Sequence, residues 1–326
     1  MRILVTGGAG YVGRTLVRLI ADEHDVSIID RLDFGIGRLS PQDLQRAQLN
    51  RVDIRDAAAV NRVVGDFKPD VIIHLAAVHF IPQCEKDPQG TVETNVAGTV
   101  NLLTACPEAC RFVLASSGAV YAPSEQLHME ACSQVDPRDV YGFTKLHGEH
   151  FLRHYSQQQG FPAAAVRLFN VVGPGETNPH LLPEIVAQMK AGVASVKLGN
   201  LWPKRDYIHV RDAAMGFLAV ALNGSVGSGE AVTVNLGTSQ QYSVQEIIDR
   251  LRLVSGSSFA VEEDPSRIRK VDRPFLGADI SLIQQKFGWK PALTIDDAVR
   301  DLWLDPDLSD ALAARYGLVE GTVRAS

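Results

Sequence analysis

The stretch ILVTGGAGYVGRTLV, Ile3–Val17, sets a glycine-rich turn between an apolar, β-branched run and a helix-like segment. Two glycine patterns overlap in it: Gly8-x-Gly10-x-x-Gly13, and Gly7-x-x-Gly10-x-x-Gly13. Either one permits a tight turn and lets backbone N–H groups approach a pyrophosphate at the positive N-terminus of the following helix. A glycine turn alone is weak evidence. Here it lies between the first strand and first helix of a βαβ unit, where dinucleotide binding requires it.

The same alternation continues outward. Apolar runs at Arg2–Val5, Val26–Ile29, Leu49–Val52, Val71–Leu75, Phe112–Ala115, Ala164–Leu168 and Val232–Leu236 read as strands. Helical patterns at Tyr11–Ala21, Ala57–Val64, Gln89–Ala105 and Val140–Gln158 separate them. Continuous apolar strands alternating with helices predict an α/β fold: a doubly wound parallel Rossmann sheet covered on both faces. After Asn170 the pattern loosens into Gly-, Pro- and Asn-containing loops, with helices expected at Val244–Val254, Ser281–Phe287 and Ile295–Leu302. This predicts a dinucleotide-binding domain of 1–169 plus 207–237. A smaller, mostly helical substrate lobe of 170–206 plus 238–326 completes the expected division.

Composition narrows the function classes. The chain has 326 residues, 45% hydrophobic and 21% charged, as in ordinary globular proteins. A net charge of −6 and no long Lys/Arg block argue against a nucleic-acid partner. The most basic run, Arg267–Lys270, fits one small anion better than a polymer. No window approaches a membrane span, and MRILVTGGAG opens on a strand with no secretory pattern, so a cytoplasmic location without membrane attachment is expected. Cys84, Cys106, Cys110 and Cys132 lack metal-ligand spacing; reduced thiols and no metal are expected.

Asp30 closes the second strand 17 residues after Gly13. A carboxylate there accepts hydrogen bonds from ribose hydroxyls and repels a 2′-phosphate, which favours NAD over NADP. Arg31 beside it is the feature that would suit NADP. Asp53 ends the third strand, where it is either a turn cap or a contact to adenine. The fifth strand ends in Ser116 and Ser117, on the carboxyl edge where open α/β sheets bind ligands. Tyr141 and Lys145 stand 24 and 28 residues after Ser117 and one turn apart, on one face of a helix. A free tyrosine titrates near pH ~10, too high for a base. A neighbouring ammonium and a cationic nicotinamide would both favour its phenolate.

These residues resemble the extended short-chain dehydrogenase/reductase family, within it the nucleotide-sugar epimerases and dehydratases, and most closely the UDP-hexose 4-epimerases (UDP-glucose or UDP-glucuronate type). The matching blocks are TGGAGYVG, HLAA at 74–77, ETNVAGT at 93–99, SSGAVY, the Tyr-x-x-x-Lys at 141–145, RLFNVVGPG at 167–175, RDYIHVRD at 205–212 and FGWKP at 287–291. The resemblance implies a catalytic set of Ser117, Tyr141 and Lys145. It implies tightly bound NAD held by Gly7, Gly10, Tyr11, Val12, Gly13, Asp30, Asp53, Ile54, Leu75, Ala76, Ala77, Asn95 and Ser116, with Lys145 on the nicotinamide ribose. The nucleotide sugar would meet His79, Ser117, Asn170, His180, Leu181, Arg205 and Arg273, the two arginines on the diphosphate. Relatives often dimerise through the helices at about 89–105 and 140–158, so a homodimer is expected.

Relatives that eliminate water carry an Asp-Glu acid–base pair after the serine or threonine, and decarboxylating ones keep a glutamate. This chain has Gly118 and Ala119 there. Neither moves a proton, which favours 4-epimerisation of a UDP-sugar; the alternatives are a 4-ketoreductase or a 4,6-dehydratase on the same site. Glu176 stands where a uronate pocket would want a basic partner, a role that Arg167 or His180 would have to fill. Leu276 falls where relatives limit bulk at C2.

Overall fold

A computed structural model describes residues 1–33, 38–176, 178–265, 274–308 and 310–318. The first six strands are β1 (Arg2–Thr6), β2 (Asp25–Asp30), β3 (Ala47–Arg51), β4 (Val71–His74), β5 (Arg111–Ser117) and β6 (Ala163–Leu168). Then follow β7 (Asn170–Val172), β8 (Ser195–Leu198), β9 (Lys204–His209), β10 (Ala231–Leu236), β11 (Gln241–Ser243), β12 (Ala260–Glu263) and β13 (Phe275–Leu276).

Seven strands form one parallel sheet in the order β10-β6-β5-β4-β1-β2-β3. All seven strands expected from the apolar runs are in it. Side chains alternate across it, as the pleat demands. Ile3, Val5, Ile28, Ile73 and Val113 pack with Leu16, Val17, Ala213 and Phe217 of the helices Tyr11–Ile20 and Val210–Leu222. Leu4, Ile29, Ile72, Phe112 and Leu114 pack on the other face with Val60, Val64, Leu102, Leu103 and Leu152. Both faces are therefore dry, which is why these strands read as unbroken apolar runs.

Strand order reverses between β1 and β4, and the chain leaves the sheet in opposite directions there. That divergence opens a crevice at the carboxyl ends. Over it lies a set of shorter strands: β11-β9-β13, with β7 also pairing β9, and a separate β12-β8 pair. These short strands, of two to six residues, stand where the sequence predicts loops around short helices. The helices Val244–Ser255, Ser281–Phe287 and Ile295–Leu304 fall where the sequence placed them. No helix among the described residues is long and apolar enough to cross a membrane. The segment Gln89–Ala105, expected as one helix, is continuous from Pro88 to Ala105 and carries a π turn at Glu93–Ala97 within it.

Candidate active site

The crevice is a cavity of about 1370 Å³. That exceeds the roughly 300–1,000 Å³ of a single small-molecule site, so it has room for two ligands end to end. Its floor is the glycine loop. Gly7 sits at φ +70°, and a Cβ there would lie 2.8 Å from the Ala76 nitrogen; one on Gly13 would lie 2.0 Å from the Gly7 carbonyl oxygen. Only glycine lets the loop close on the end of β4. Gly10 is the N-cap of the helix Tyr11–Ile20, and no side chain caps that N-terminus. Its amides face the cavity beside Tyr11, Val12 and Gly13, a donor set suited to a pyrophosphate.

Asp30 forms one wall. Its carboxylate accepts from the backbone of Ala9 at 3.0 Å and Leu32 at 2.7 Å, while burial pushes its pKa up. Arg31, on the same wall, pairs with Asp33 and, at 3.3 Å, with Asp53. Asp53 also takes Arg55 at 2.7 Å, and these cations hold its carboxyl down to about 2. With Arg31 held between two aspartates, the donor set fits NAD and disfavours an added 2′-phosphate. Ile54, Leu75, Ala76 and Ala77 complete this side of the cavity.

A buried chain of hydrogen bonds fixes the wall. Thr6 Oγ1 donates to His74 Nδ1 at 2.6 Å, His74 Nε2 to Thr99 Oγ1 at 2.9 Å, and Thr99 to the Asn95 carbonyl at 2.6 Å. The tautomer follows from Thr99 having given its own proton to Asn95. Burial drops the His74 pKa to about 3, so it stays neutral. Asn95, expected on the cofactor, instead clamps the Val78 backbone through both amide atoms at 2.8 Å and reaches Thr144 at 3.0 Å. The π turn places it there, between the loop after β4 and the helix Val140–Gln159.

Ser117, Tyr141 and Lys145 line the same cavity. Asp139 caps the helix that carries the last two, accepting from the Gly142 nitrogen at 2.7 Å. Burial raises the Tyr141 pKa, and a hydrogen bond with Ser117 partly opposes the rise. Lys145 lies 5.7 Å from the Tyr141 ring centre and donates to the Ala115 carbonyl at 2.8 Å. Burial lowers its pKa to about 8. The buried thiol of Cys84 is close enough to both to perturb them.

Sequence reasoning missed a partner one turn further on. Glu149 accepts from Ser116 at 2.5 Å and is forked by Arg167 at 2.9 and 2.7 Å, all buried. Tyr141, Lys145 and Glu149 recur every four residues on one helix face, a spacing that could have exposed it. This overturns the idea that Arg167 serves a uronate: its guanidinium belongs to Glu149 and stacks 4.6 Å over Tyr121. Ser116 likewise spends its hydroxyl on Glu149.

At the opposite side stand His79, Asn170, Glu176, Asn178, His180, Leu181, Arg205 and Leu276. His180 meets Glu176 at 3.2 Å, and Asn178 meets His79 at 3.0 Å. The Tyr11 hydroxyl donates to the Gly173 carbonyl at 2.9 Å, joining the glycine loop to this group. Arg205 reaches the cavity, whereas its neighbour Asp206 points away to Thr238, Ser239 and Ala278. Arg273 and the basic run Arg267–Lys270 lie outside the described residues.

Residues 3–237 match the model of the NAD dependent epimerase/dehydratase family. The UDP-glucose 4-epimerase of Streptomyces lividans is 31% identical, over 93% of this chain and 95% of its own. The GDP-6-deoxy-D-mannose reductase of Pseudomonas aeruginosa is 26% identical, over 93% and 96%. A UDP-glucuronic acid 4-epimerase of Bacillus cereus, solved with UDP-glucuronic acid and NAD, superposes with a TM-score of 0.82 at 27% identity, over 93% of this chain and 98% of that one.

Proposed function

The chain belongs to the NAD dependent epimerase/dehydratase family, and from that premise we propose that it is an NAD-dependent 4-epimerase of a UDP-linked hexose. One observation carries the reading. Ser117, Tyr141 and Lys145 share a single cavity with the glycine loop and Asp30, and the positions after Ser117 hold Gly118 and Ala119. A second, elimination step would need an acid and a base there. Phe169 closes over that spot, 3.1 Å from where a Cβ on Gly118 would lie.

Bound NAD would supply the hydride acceptor and donor for the sugar carbon. Gly7–Gly13 and Asp30, in the part of the chain 1–169 plus 207–237, would hold the cofactor. The nucleotide sugar would occupy the side formed by 170–206 plus 238–326, near Asn170, His180, Leu181 and Arg205. Tyr141 Oη takes the proton of the 4-hydroxyl and gives it back. Ser117 hydrogen-bonds the same oxygen, and Lys145 supplies positive charge beside the phenol. Two copies pair through helix faces that leave Val92 and Phe143 about half exposed; sedimentation showing only monomer at working concentration would refute the pairing.

The test is incubation with UDP-glucose, UDP-galactose, UDP-glucuronate and GDP-linked sugars, with chromatographic readout of the C4 epimer and of cofactor redox state. Interconversion without net cofactor consumption is expected. Stoichiometric consumption of reduced cofactor would replace the reading with a ketoreductase, as in the GDP-sugar reductase relative.

A further inference from the structure

One constellation on the substrate side of the cavity takes no part in the proton and hydride transfers above. His79 follows β4, while Glu176 and His180 lie in the segment before the helix Leu181–Lys190. One ligand atom from each falls within 4.8 Å of the other two. The distance of 3.2 Å between His180 Nδ1 and Glu176 Oε2 is close to the edge of a tetrahedral zinc site, about 3.3 Å for ligand bonds near 2.0 Å. Glu176 is buried, and the two imidazoles are partly buried at the cavity wall.

The ligands are also oriented. His79 hydrogen-bonds the Ala77 backbone carbonyl and meets the Asn178 side chain through Nε2 at 3.0 Å. A ring nitrogen that donates to a backbone carbonyl leaves the other nitrogen's lone pair directed outward. That is how metal-binding histidines are commonly fixed. Asn178 donates to that lone pair here. His180 is packed against Phe80, ring centres 5.3 Å apart, and its side chain makes no cap bond to its own helix.

We propose that His79, Glu176 and His180 form a binding site for a divalent first-row transition cation, open to the substrate cavity. Two imidazoles and a carboxylate suit Zn²⁺, and suit Mg²⁺ poorly, because it prefers all-oxygen ligands. The remaining coordination positions face the cavity, where water or a ligand oxygen would fill them. The ligands come from points about a hundred residues apart in sequence, so cysteine and histidine spacing gave no hint of the site.

The experiment is calorimetric titration of untagged, chelator-dialysed full-length protein with Zn²⁺, in a Cys132→Ser background that removes the exposed thiol. One saturable equivalent is expected, undisturbed by excess Mg²⁺. His180→Ala and Glu176→Gln should each weaken it at least about tenfold, since loss of even an outer-shell partner commonly costs that much. Co²⁺ in place of Zn²⁺ should give visible ligand-field absorption that both variants lose, and circular dichroism should show both folded. No saturable equivalent, or equal affinity in both folded variants, would overturn the site. The readouts are direct binding, so they stand apart from whether epimerisation is found.

Discussion

Replacing Glu149 with leucine tests whether the buried Ser116–Glu149–Arg167 network holds the catalytic helix. The side chains of Arg167 and Glu149 are 7% and 2% exposed. Removing the carboxylate leaves a guanidinium without a counter-charge in a dry interior, and strips Ser116 of its acceptor. Breaking one side of such a pair costs about 3–5 kcal/mol. A chain of 326 residues unfolds with an entropy of about 0.7 kcal/mol per kelvin, at about 2.1 cal/mol/K per residue. Glu149→Leu should therefore lower the melting temperature by about 4–7 °C in differential scanning calorimetry. Removing both charges in Glu149→Leu with Arg167→Met should recover most of that loss, because the penalty lies in the orphaned charge. A fall under about 1 °C in the single variant, or no recovery in the double, would refute the reasoning.

Three further outcomes follow from the same geometry. Tyr141→Phe should lower kcat by about 10²–10⁴ while leaving NAD binding intact, since it deletes one proton-transfer group; equal loss of NAD affinity would make the residue structural. Asp30→Ala should weaken NAD by about tenfold or more in fluorescence titration and narrow its preference over NADP, each lost hydrogen bond to the carboxylate being worth about 1.5–3 kcal/mol; an unchanged preference would remove Asp30 from selectivity. Lys145 binds its proton less tightly when folded, about 8 against 10.5, so between those values the unfolded chain holds more protons and cofactor-free stability rises with pH. Lys145→Met removes that contribution, so its stability advantage over the parent should shrink by about 3 kcal/mol from pH 7 to pH 11, and a pH-independent gap in chemical denaturation would contradict the burial.

The central sheet was readable because a parallel sheet covered on both faces is mostly apolar along its strands, with Ser27, His74 and Asn235 among the buried exceptions. Strand and helix periods therefore stood out from Arg2 to Leu236. The short strands over the crevice were not readable. β7, β11 and β13 are two or three residues long, and their pairing with β9 depends on chain segments brought together only by the fold. The catalytic helix showed the same division. Tyr141 and Lys145 were visible from one helical turn, but Glu149 acquires meaning only once Ser116 and Arg167 arrive from β5 and β6. The bonds of Asn95 to Val78 and Thr144 were not readable, because the π turn that aims it there has no sequence signature of its own.

The sequence also suggested that a neighbouring ammonium would draw Tyr141 toward its phenolate. In the folded chain, desolvation is the larger effect and works against both partners: it raises the phenol and lowers the ammonium. A site dry enough for hydride chemistry disfavours the very charges that chemistry uses. Ser117 and the Ala115 carbonyl therefore act chiefly on geometry, holding Tyr141 and Lys145 in place, with the phenol neutral and the lysine still mostly charged near pH 7. On the reading proposed above, Tyr141 becomes a base only when an oxidised, cationic nicotinamide fills the cavity beside it. The pH profile of kcat/KM should then titrate below the Tyr141 pKa measured in cofactor-free protein by ultraviolet difference spectroscopy. Coincident values would mean that the protein alone sets the base.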